Sequence, residues 1–232
     1  MKTPLLLLHG ALNDHHQFDF LIPLLEDDFT VFTFDFLGHG DAGLAGEHLN
    51  TKILVEQIAQ FTQMHHLNQF YVFGYSMGAY MAYLYHQAHP GHVLKLYTLG
   101  TKILWNEEVF NTEQRNLNSE LIKVKLPAFW DKLNQIHTAL GAPKLIEETL
   151  VLLKELAAFN YLNENLLAAI EIPVHICVGE KDKTLSVDEC EWATRIIKNA
   201  RLEVLQDMPH SFEKLNMNAL AHSMKQFFLE RS

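Results

Sequence analysis

The feature that most constrains the fold is a G-x-S-x-G pentapeptide at residues 74–78, which lies between an apolar run and a helical pattern. The run at residues 70–73 is typical of a buried strand, and residues 77–89 predict a helix that ends at Pro90. A strand that turns this sharply into a helix strains the serine backbone, and the glycines provide the space that such a turn needs. This context predicts a nucleophilic serine, Ser76, although a tight glycine turn with an incidental serine is the alternative.

Six short runs rich in apolar, β-branched or aromatic residues are predicted as strands, and most lack the polar alternation of half-exposed strands. They occupy residues 5–8, 30–34, 70–73, 93–99, 174–178 and 202–205. Helical patterns lie between them, including one that Ser186 and Glu189 open as a capping box. The alternation predicts an α/β fold, a mostly parallel six-stranded sheet flanked by helices.

The segment from residue 103 to residue 162 interrupts this alternation. It contains no strand pattern and is rich in helix-forming residues. A strandless connection of this length far exceeds the roughly 12–15 residues of an ordinary loop, so it predicts a separate helical layer. We therefore expect a core formed by residues 1–102 and 163–232, with a helical cap at 103–162 inserted after the fourth strand.

Two side chains that could activate a serine follow the last two predicted strands. Asp182 comes shortly after the strand at 174–178, and His210 comes shortly after the strand at 202–205. The carboxyl ends of parallel strands share one edge of a sheet, so Ser76, Asp182 and His210 are expected to converge there. A serine hydroxyl needs a base, and the base needs a group that orients it, so the three residues predict a catalytic triad.

Both partners of the serine have rivals in the sequence. Glu180, Asp188 and Asp207 lie within reach of the same edge, and Asp182 could instead be an ordinary turn residue. His210 is one of 14 histidines. Its place on the last loop favours it over His222, which falls inside the final helical pattern.

Backbone amides near the serine are candidates for an oxyanion site. The first predicted strand is followed by residues 9–12, His-Gly-Ala-Leu. The amides of Ala11 and Met77 would provide two donors for a former carbonyl oxygen that becomes negative during acyl transfer. The alternative is that these residues merely end a strand.

The predicted substrate pocket combines residues beside these donors with large aromatic residues of the cap. Its members are Leu12, Tyr75, Trp105, Phe129 and Trp130. Side chains of this kind predict a small-molecule substrate with an apolar portion. The cap aromatics could equally form the cap's own core.

Charge and composition exclude several other classes. Hydrophobic residues make up 48% of the 232-residue chain, which excludes general disorder, and a net charge of −10 disfavours nucleic acids and membrane surfaces as partners. With only two cysteines, Cys177 and Cys190, and no signal-peptide or membrane-helix pattern, we expect a reduced cytoplasmic protein.

The histidine pairs at 15–16 and 65–66 lack the spacing of a catalytic metal site, so no metal is expected. The oligomeric state is not indicated.

Taken together, these motifs resemble the α/β-hydrolase superfamily, in its cofactor-free, capped, esterase-like branch. The resemblance rests on His9-Gly10, the segment Asp35–Gly40, the turn at 74–78, Asp182 and the His210 loop. It implies the α/β-hydrolase fold with the sheet order 2-1-3-4-5-6 and a serine hydrolase of carboxylic esters or thioesters that needs no cofactor. The same triad could instead serve carbon–carbon bond hydrolysis or an elimination, and the fold could serve a small-molecule receptor.

Two features depart from the pattern of that superfamily. The first predicted strand starts close to residue 4, so the antiparallel strands that often precede it are not expected. Pro209 stands before His210, where glycine is common, and this restricts the histidine loop.

Overall fold

The computed structural model describes residues 2–44 and 46–230, and its strands form one sheet in the order β2-β1-β3-β4-β5-β6. All five neighbouring pairs are parallel. The strands are β1 (Thr3–Leu8), β2 (Phe29–Thr33), β3 (Phe70–Tyr75), β4 (Val93–Leu99), β5 (Val174–Gly179) and β6 (Ala200–Leu205). The predicted strands and their order are confirmed, and their bounds differ from the sequence prediction by no more than two residues.

Helices connect successive strands and cover both faces of the sheet. The described residues form α1 (Ile22–Leu25), α2 (Thr51–Met64), α3 (Met77–Ala88), α4 (Glu107–Asn116), α5 (Ser119–Lys125), α6 (Pro127–Ile136), α7 (Ala142–Phe159), α8 (Glu164–Ala168), α9 (Val187–Ile196) and α10 (Met217–Leu229). Short 3-10 helices occupy His15–Phe18 and Phe212–Lys214. Across the described residues, none of these helices is long and apolar enough to cross a bilayer.

Alternate residues of each strand pack into two separate cores. In β1, Leu6 and Leu8 join the core beneath α2, α3 and α9, whereas Leu5 and Leu7 join the core beneath α1 and α10. All four leucines are at most 1% exposed. Burial on both faces explains why the strands are continuous apolar runs in the sequence.

Between β4 and β5, the described chain forms helices α4 to α8 and no strand. The predicted end of the cap at residue 162 falls between α7 and α8. The second half of this segment carries most of its buried side chains, because α7 buries eight residues whereas α4 buries none.

The capping box predicted at the start of α9 forms only in part. The Ser186 hydroxyl accepts the Glu189 N–H at 3.2 Å, as expected. The Glu189 carboxylate does not return to the helix start; it accepts the N–H groups of Ile103 and Leu104 at 2.5 and 2.7 Å and pairs with Lys102. A buried carboxylate is better satisfied by two amides and an ammonium group, and it thereby anchors the chain that leads from β4 into the cap.

The two glycines of the pentapeptide allow α3 to pack directly on the sheet. A Cβ atom at Gly78 would lie 2.3 Å from the Leu8 carbonyl oxygen, and one at Gly74 would lie 2.4 Å from the Ala79 Cα. Distances this short are not tolerated between non-bonded atoms. The absence of a side chain at Gly78 therefore sets the distance between the helix and β1, and its absence at Gly74 sets the distance between the helix and β3.

We expect Gly78→Ala to lower the free energy of unfolding by about 1–3 kcal/mol, the usual cost of overpacking, because the new methyl group meets main-chain atoms that cannot move aside. Urea denaturation measures this change. Gly43→Ala is the matched control, since a Cβ atom there meets nothing within 4 Å. Equal stabilities of the two variants would contradict this account of the packing.

Candidate active site

Ser76 occupies the turn between β3 and α3 in a strained conformation. Its φ is +50° and its ψ is −114°, in a region that favours glycine. Its N–H donates to the Leu99 carbonyl oxygen at 2.8 Å, which ties the turn to β4. Strain at a polar residue held by its neighbours is typical of functional sites.

His210 and Asp182 meet beside this turn. His210 Nδ1 lies 2.7 Å from Asp182 Oδ2, and the two side chains are 28% and 1% exposed. The other carboxylate oxygen accepts the N–H groups of Thr184 and Leu185 at 2.8 and 3.3 Å. Since a carboxylate only accepts, the imidazole donates from Nδ1 and leaves Nε2 as the nitrogen that can take up a proton.

The rival residues named from the sequence lie elsewhere. Glu180 accepts the N–H of Asp207, whose 80%-exposed side chain pairs with Lys181. Asp188 and His222 are exposed on α9 and α10. Asp182 is thus the carboxylate that reaches His210, even though Pro209 restricts the histidine loop.

A cavity of about 180 Å³ opens beside Ser76 and is bounded by the sheet edge and by residues of α4 and α7. His210, Ala11 and Met77 also line it, so the structure brings together the predicted base, oxyanion donors and nucleophile. Asp182 lies behind His210 and does not reach the cavity.

The predicted pocket residues divide into two groups. Leu12 and Trp105 line the cavity, whereas Tyr75, Phe129 and Trp130 do not. The Tyr75 hydroxyl donates to the His210 carbonyl oxygen at 2.5 Å, so this residue supports the histidine loop from below. Burial raises the pKa of Tyr75, which keeps the hydroxyl protonated. Phe129 lies 38% exposed on the outer surface of α6, and Trp130 is half-buried beside it.

Several lining residues were not identified from the sequence. They are Tyr80 of α3, Lys102, Thr184, and the helical-segment residues Glu113, Leu117, Thr149, Leu153 and Leu156. No local motif marks them, because a long helical connection does not show which of its faces turns toward the sheet. Partial burial raises the pKa of the Glu113 carboxyl, while His210 nearby acts in the opposite direction.

The histidine-rich segments have structural partners. The buried His9 accepts the Phe36 N–H at 3.0 Å, and burial lowers its pKa to about 3, which keeps it neutral. His15 lies 2.8 Å from Asp35. Within residues 2–44 and 46–230, no group of three or more histidine, cysteine or acidic residues is arranged to hold a metal ion.

Comparisons with known proteins match both the sequence and the fold. A family model described as "alpha/beta hydrolase fold" matches residues 3–121. In Bacillus subtilis, a protein provisionally assigned as 2-succinyl-6-hydroxy-2,4-cyclohexadiene-1-carboxylate synthase is 24% identical over 88% of this chain and 82% of its own length. The Homo sapiens serine hydrolase-like protein is 33% identical, but over only 49% of this chain and 56% of the human one.

The fold is also shared with solved structures. The enol-lactonase from Burkholderia xenovorans LB400 superposes with a TM-score of 0.81 at 16% identity, over 99% of this chain and 92% of that enzyme. At this identity, the likeness shows the fold alone.

We expect Asp182→Asn to change the tautomer of His210, because an asparagine amide can donate as well as accept and no longer requires a proton on Nδ1. Heteronuclear NMR of the imidazole nitrogens at about pH 8, where histidine is neutral, distinguishes the two tautomers. Asp207→Asn, at an exposed carboxylate away from His210, is the matched control. A folded Asp182→Asn variant that kept the Nδ1–H tautomer would show that another group orients the ring.

Proposed function

This chain belongs to the alpha/beta hydrolase family, and we propose that it is a serine hydrolase that cleaves a carboxylic ester or thioester through an acyl-enzyme. The observation that carries this proposal is the strained Ser76 in the same cavity as His210, whose Nδ1 is held by the buried Asp182. A nucleophile, a base and a group that orients the base are the three parts that this chemistry needs.

The proposed reaction has two halves. Ser76 Oγ attacks the carbonyl carbon while His210 Nε2 takes the hydroxyl proton, and His210 then gives that proton to the departing alcohol or thiol. A water molecule, deprotonated by His210, attacks the acyl-enzyme and releases the acid and free Ser76. Asp182 stabilises the imidazolium formed in each half without taking its proton.

The Ala11 and Met77 amides hold the oxyanion in this proposal. Among the described residues, neither N–H has a hydrogen-bond acceptor, and both residues line the cavity. Met77 begins α3, so the N-terminal end of the helix adds a favourable field at the developing negative charge. Two free donors beside a nucleophile stabilise the tetrahedral intermediate more than the planar substrate, which accelerates the reaction.

The cavity walls favour a small acyl group with an apolar part. The apolar lining of the cavity includes Leu12, Trp105, Leu117, Leu153 and Leu156. A volume of about 180 Å³ slightly exceeds the roughly 150 Å³ of cavities that accept benzene. Short-chain or single-ring acyl groups fit this space.

The charges at the cavity disfavour an anionic substrate. Lys102 also lines it and acts to lower the pKa of Glu113, but its ammonium group is paired with Glu189, so one cation serves two carboxylates. The Bacillus relative is named for a product that bears a carboxylate and a succinyl group. Its likeness supports elimination by the same triad as the second candidate function. The excess of carboxylates over cations around Glu113 instead favours hydrolysis of a neutral ester.

We expect Ser76→Ala to lose at least about 10³-fold in kcat and all reaction with a fluorophosphonate probe, because the attacking oxygen is absent. Intact mass and peptide mapping locate the label in the wild type. Labelling at Ser76 together with turnover of short neutral esters supports the proposal. Ester turnover by Ser76→Ala within threefold of wild type would exclude Ser76 as the nucleophile, and a folded wild type that binds ligands without labelling would favour a receptor.

We expect Glu113→Gln to raise kcat/KM for an anionic hemisuccinate ester about fivefold relative to the neutral butyrate ester, since it removes about 1 kcal/mol of screened charge repulsion. Parallel assays of the two esters measure the ratio. Glu108→Gln, an exposed change of equal charge on the same helix, is the control. If the ratio of the two kcat/KM values is unchanged in Glu113→Gln, or rises equally in both variants, Glu113 does not select substrates by charge.

A further inference from the structure

His137 connects the cap with two loops at the edge of the sheet. It lies between α6 and α7, and none of its surface is exposed. Its Nδ1 accepts the Gly40 N–H at 2.8 Å, and its Nε2 lies 3.2 Å from the Leu12 carbonyl oxygen. An amide N–H only donates and a carbonyl oxygen only accepts, so the two partners require a neutral imidazole that carries its proton on Nε2.

The turn that accepts this hydrogen bond is itself strained. Leu12 has a φ of +60°, and the turn is closed by the Asn13 N–H, which donates to the Gly10 carbonyl oxygen at 3.3 Å. A leucine in the left-handed region costs about 1 kcal/mol or more and keeps that conformation only where its surroundings impose it. The His137 imidazole is the buried side-chain donor to the carbonyl of this residue. The neighbouring residue in the same turn is Ala11.

We infer that His137 is a positioning residue for the oxyanion site: its bridge between Gly40 and Leu12 holds the turn in which the Ala11 amide faces Ser76. The consequence for catalysis rests on the proposed function, whereas the bridge itself does not. Because His137 belongs to the cap, the oxyanion donor is in place only when this part of the cap is seated on the sheet edge. The cap then regulates the chemistry as well as enclosing the substrate.

The surroundings of His137 support its neutral form. Burial lowers the pKa of His137, and Lys132 of α6 acts in the same direction. Asp14 and Asp35, from the loops after β1 and β2, act against it. The His39 ring faces it with a centroid distance of 5.8 Å. Burial is the largest of these effects, so the imidazole accepts from Gly40 at neutral pH.

The test compares two substitutions of His137 with a neighbouring control. His137→Ala removes both hydrogen bonds, whereas His137→Gln keeps one acceptor and one donor on a neutral side chain. Thr138→Ala removes the adjacent contact between the cap and the core, a hydrogen bond from the Thr138 hydroxyl to Asp41, without touching the turn. Each variant is assayed with a short neutral ester, and amide hydrogen exchange is followed at Gly40.

We expect His137→Ala to lower kcat about 10- to 100-fold with KM changed less than threefold, because the oxyanion donor moves while the pocket walls on α3 and α7 stay in place. His137→Gln should recover most of the loss, and Thr138→Ala should stay within twofold of wild type. The Gly40 amide should exchange about fivefold faster or more in His137→Ala, because it loses its acceptor.

Three results would overturn the inference. If the Gly40 amide exchanges at an unchanged rate in a folded His137→Ala variant, the hydrogen bond from Gly40 to His137 does not exist. Faster exchange with unchanged kcat in His137→Ala would show that His137 does not position the oxyanion donor. An equal loss of kcat in Thr138→Ala would show the same. A wild type that hydrolyses no ester contradicts the proposed function, and the exchange measurement then still decides whether the bridge exists.

Discussion

The close approach of α3 to the sheet is the constraint on which the rest of the site depends. With no side chain at Gly78, the first turn of the helix lies directly on the carbonyl end of β1. The Ser76 N–H is then drawn to the Leu99 carbonyl oxygen, and the serine remains in its strained conformation because both flanking elements are fixed. The same packing places the first amides of α3 beside the turn that follows β1. This one contact between a helix and a strand therefore positions Ser76 and the Met77 amide, whereas the turn that carries Ala11 is also bridged by His137.

The parallel sheet supplies the remaining parts of the site at the same edge. A buried carboxylate such as Asp182 is unfavourable unless its oxygens are bound, and two backbone amides together with His210 bind them. The Tyr75 hydroxyl, on the strand that carries Ser76, fixes the main chain of His210. His210, the proposed base, is thus held at its ring by Asp182, which follows β5, and at its backbone by Tyr75 of β3, so a single rigid sheet sets its position relative to the serine.

Features that depend on local periodicity could be predicted from the sequence, and features that depend on long-range packing could not. The strand Val93–Leu99 has its predicted bounds because it is buried on both faces, and Asp182 and His210 were identified because they follow strands closely.

His137 and Gly40 are 97 residues apart, and no local pattern links them. Phe129 shows the same limit, since hydrophobicity indicated a buried residue whereas the helix presents it to solvent. The Glu189 carboxylate was expected to bind the start of its own helix, but it accepts the N–H groups of Leu104 and Ile103, 85 and 86 residues away.

Within the cap, the two walls of the cavity are anchored differently. On α7, the buried Glu148 accepts the Leu49 N–H at 3.1 Å, and Glu155 accepts both the N–H and the hydroxyl of Thr51 at the start of α2. One buried and one half-buried carboxylate, each bound to a main-chain amide, hold this helix firmly on the core. Helix α4 buries none of its own residues and packs against α7. The wall that includes Leu153 is therefore fixed to the sheet, while the wall that carries Glu113 takes its position from α7. In the proposed function, the less firmly anchored of the two walls is the one that discriminates between charged and neutral substrates.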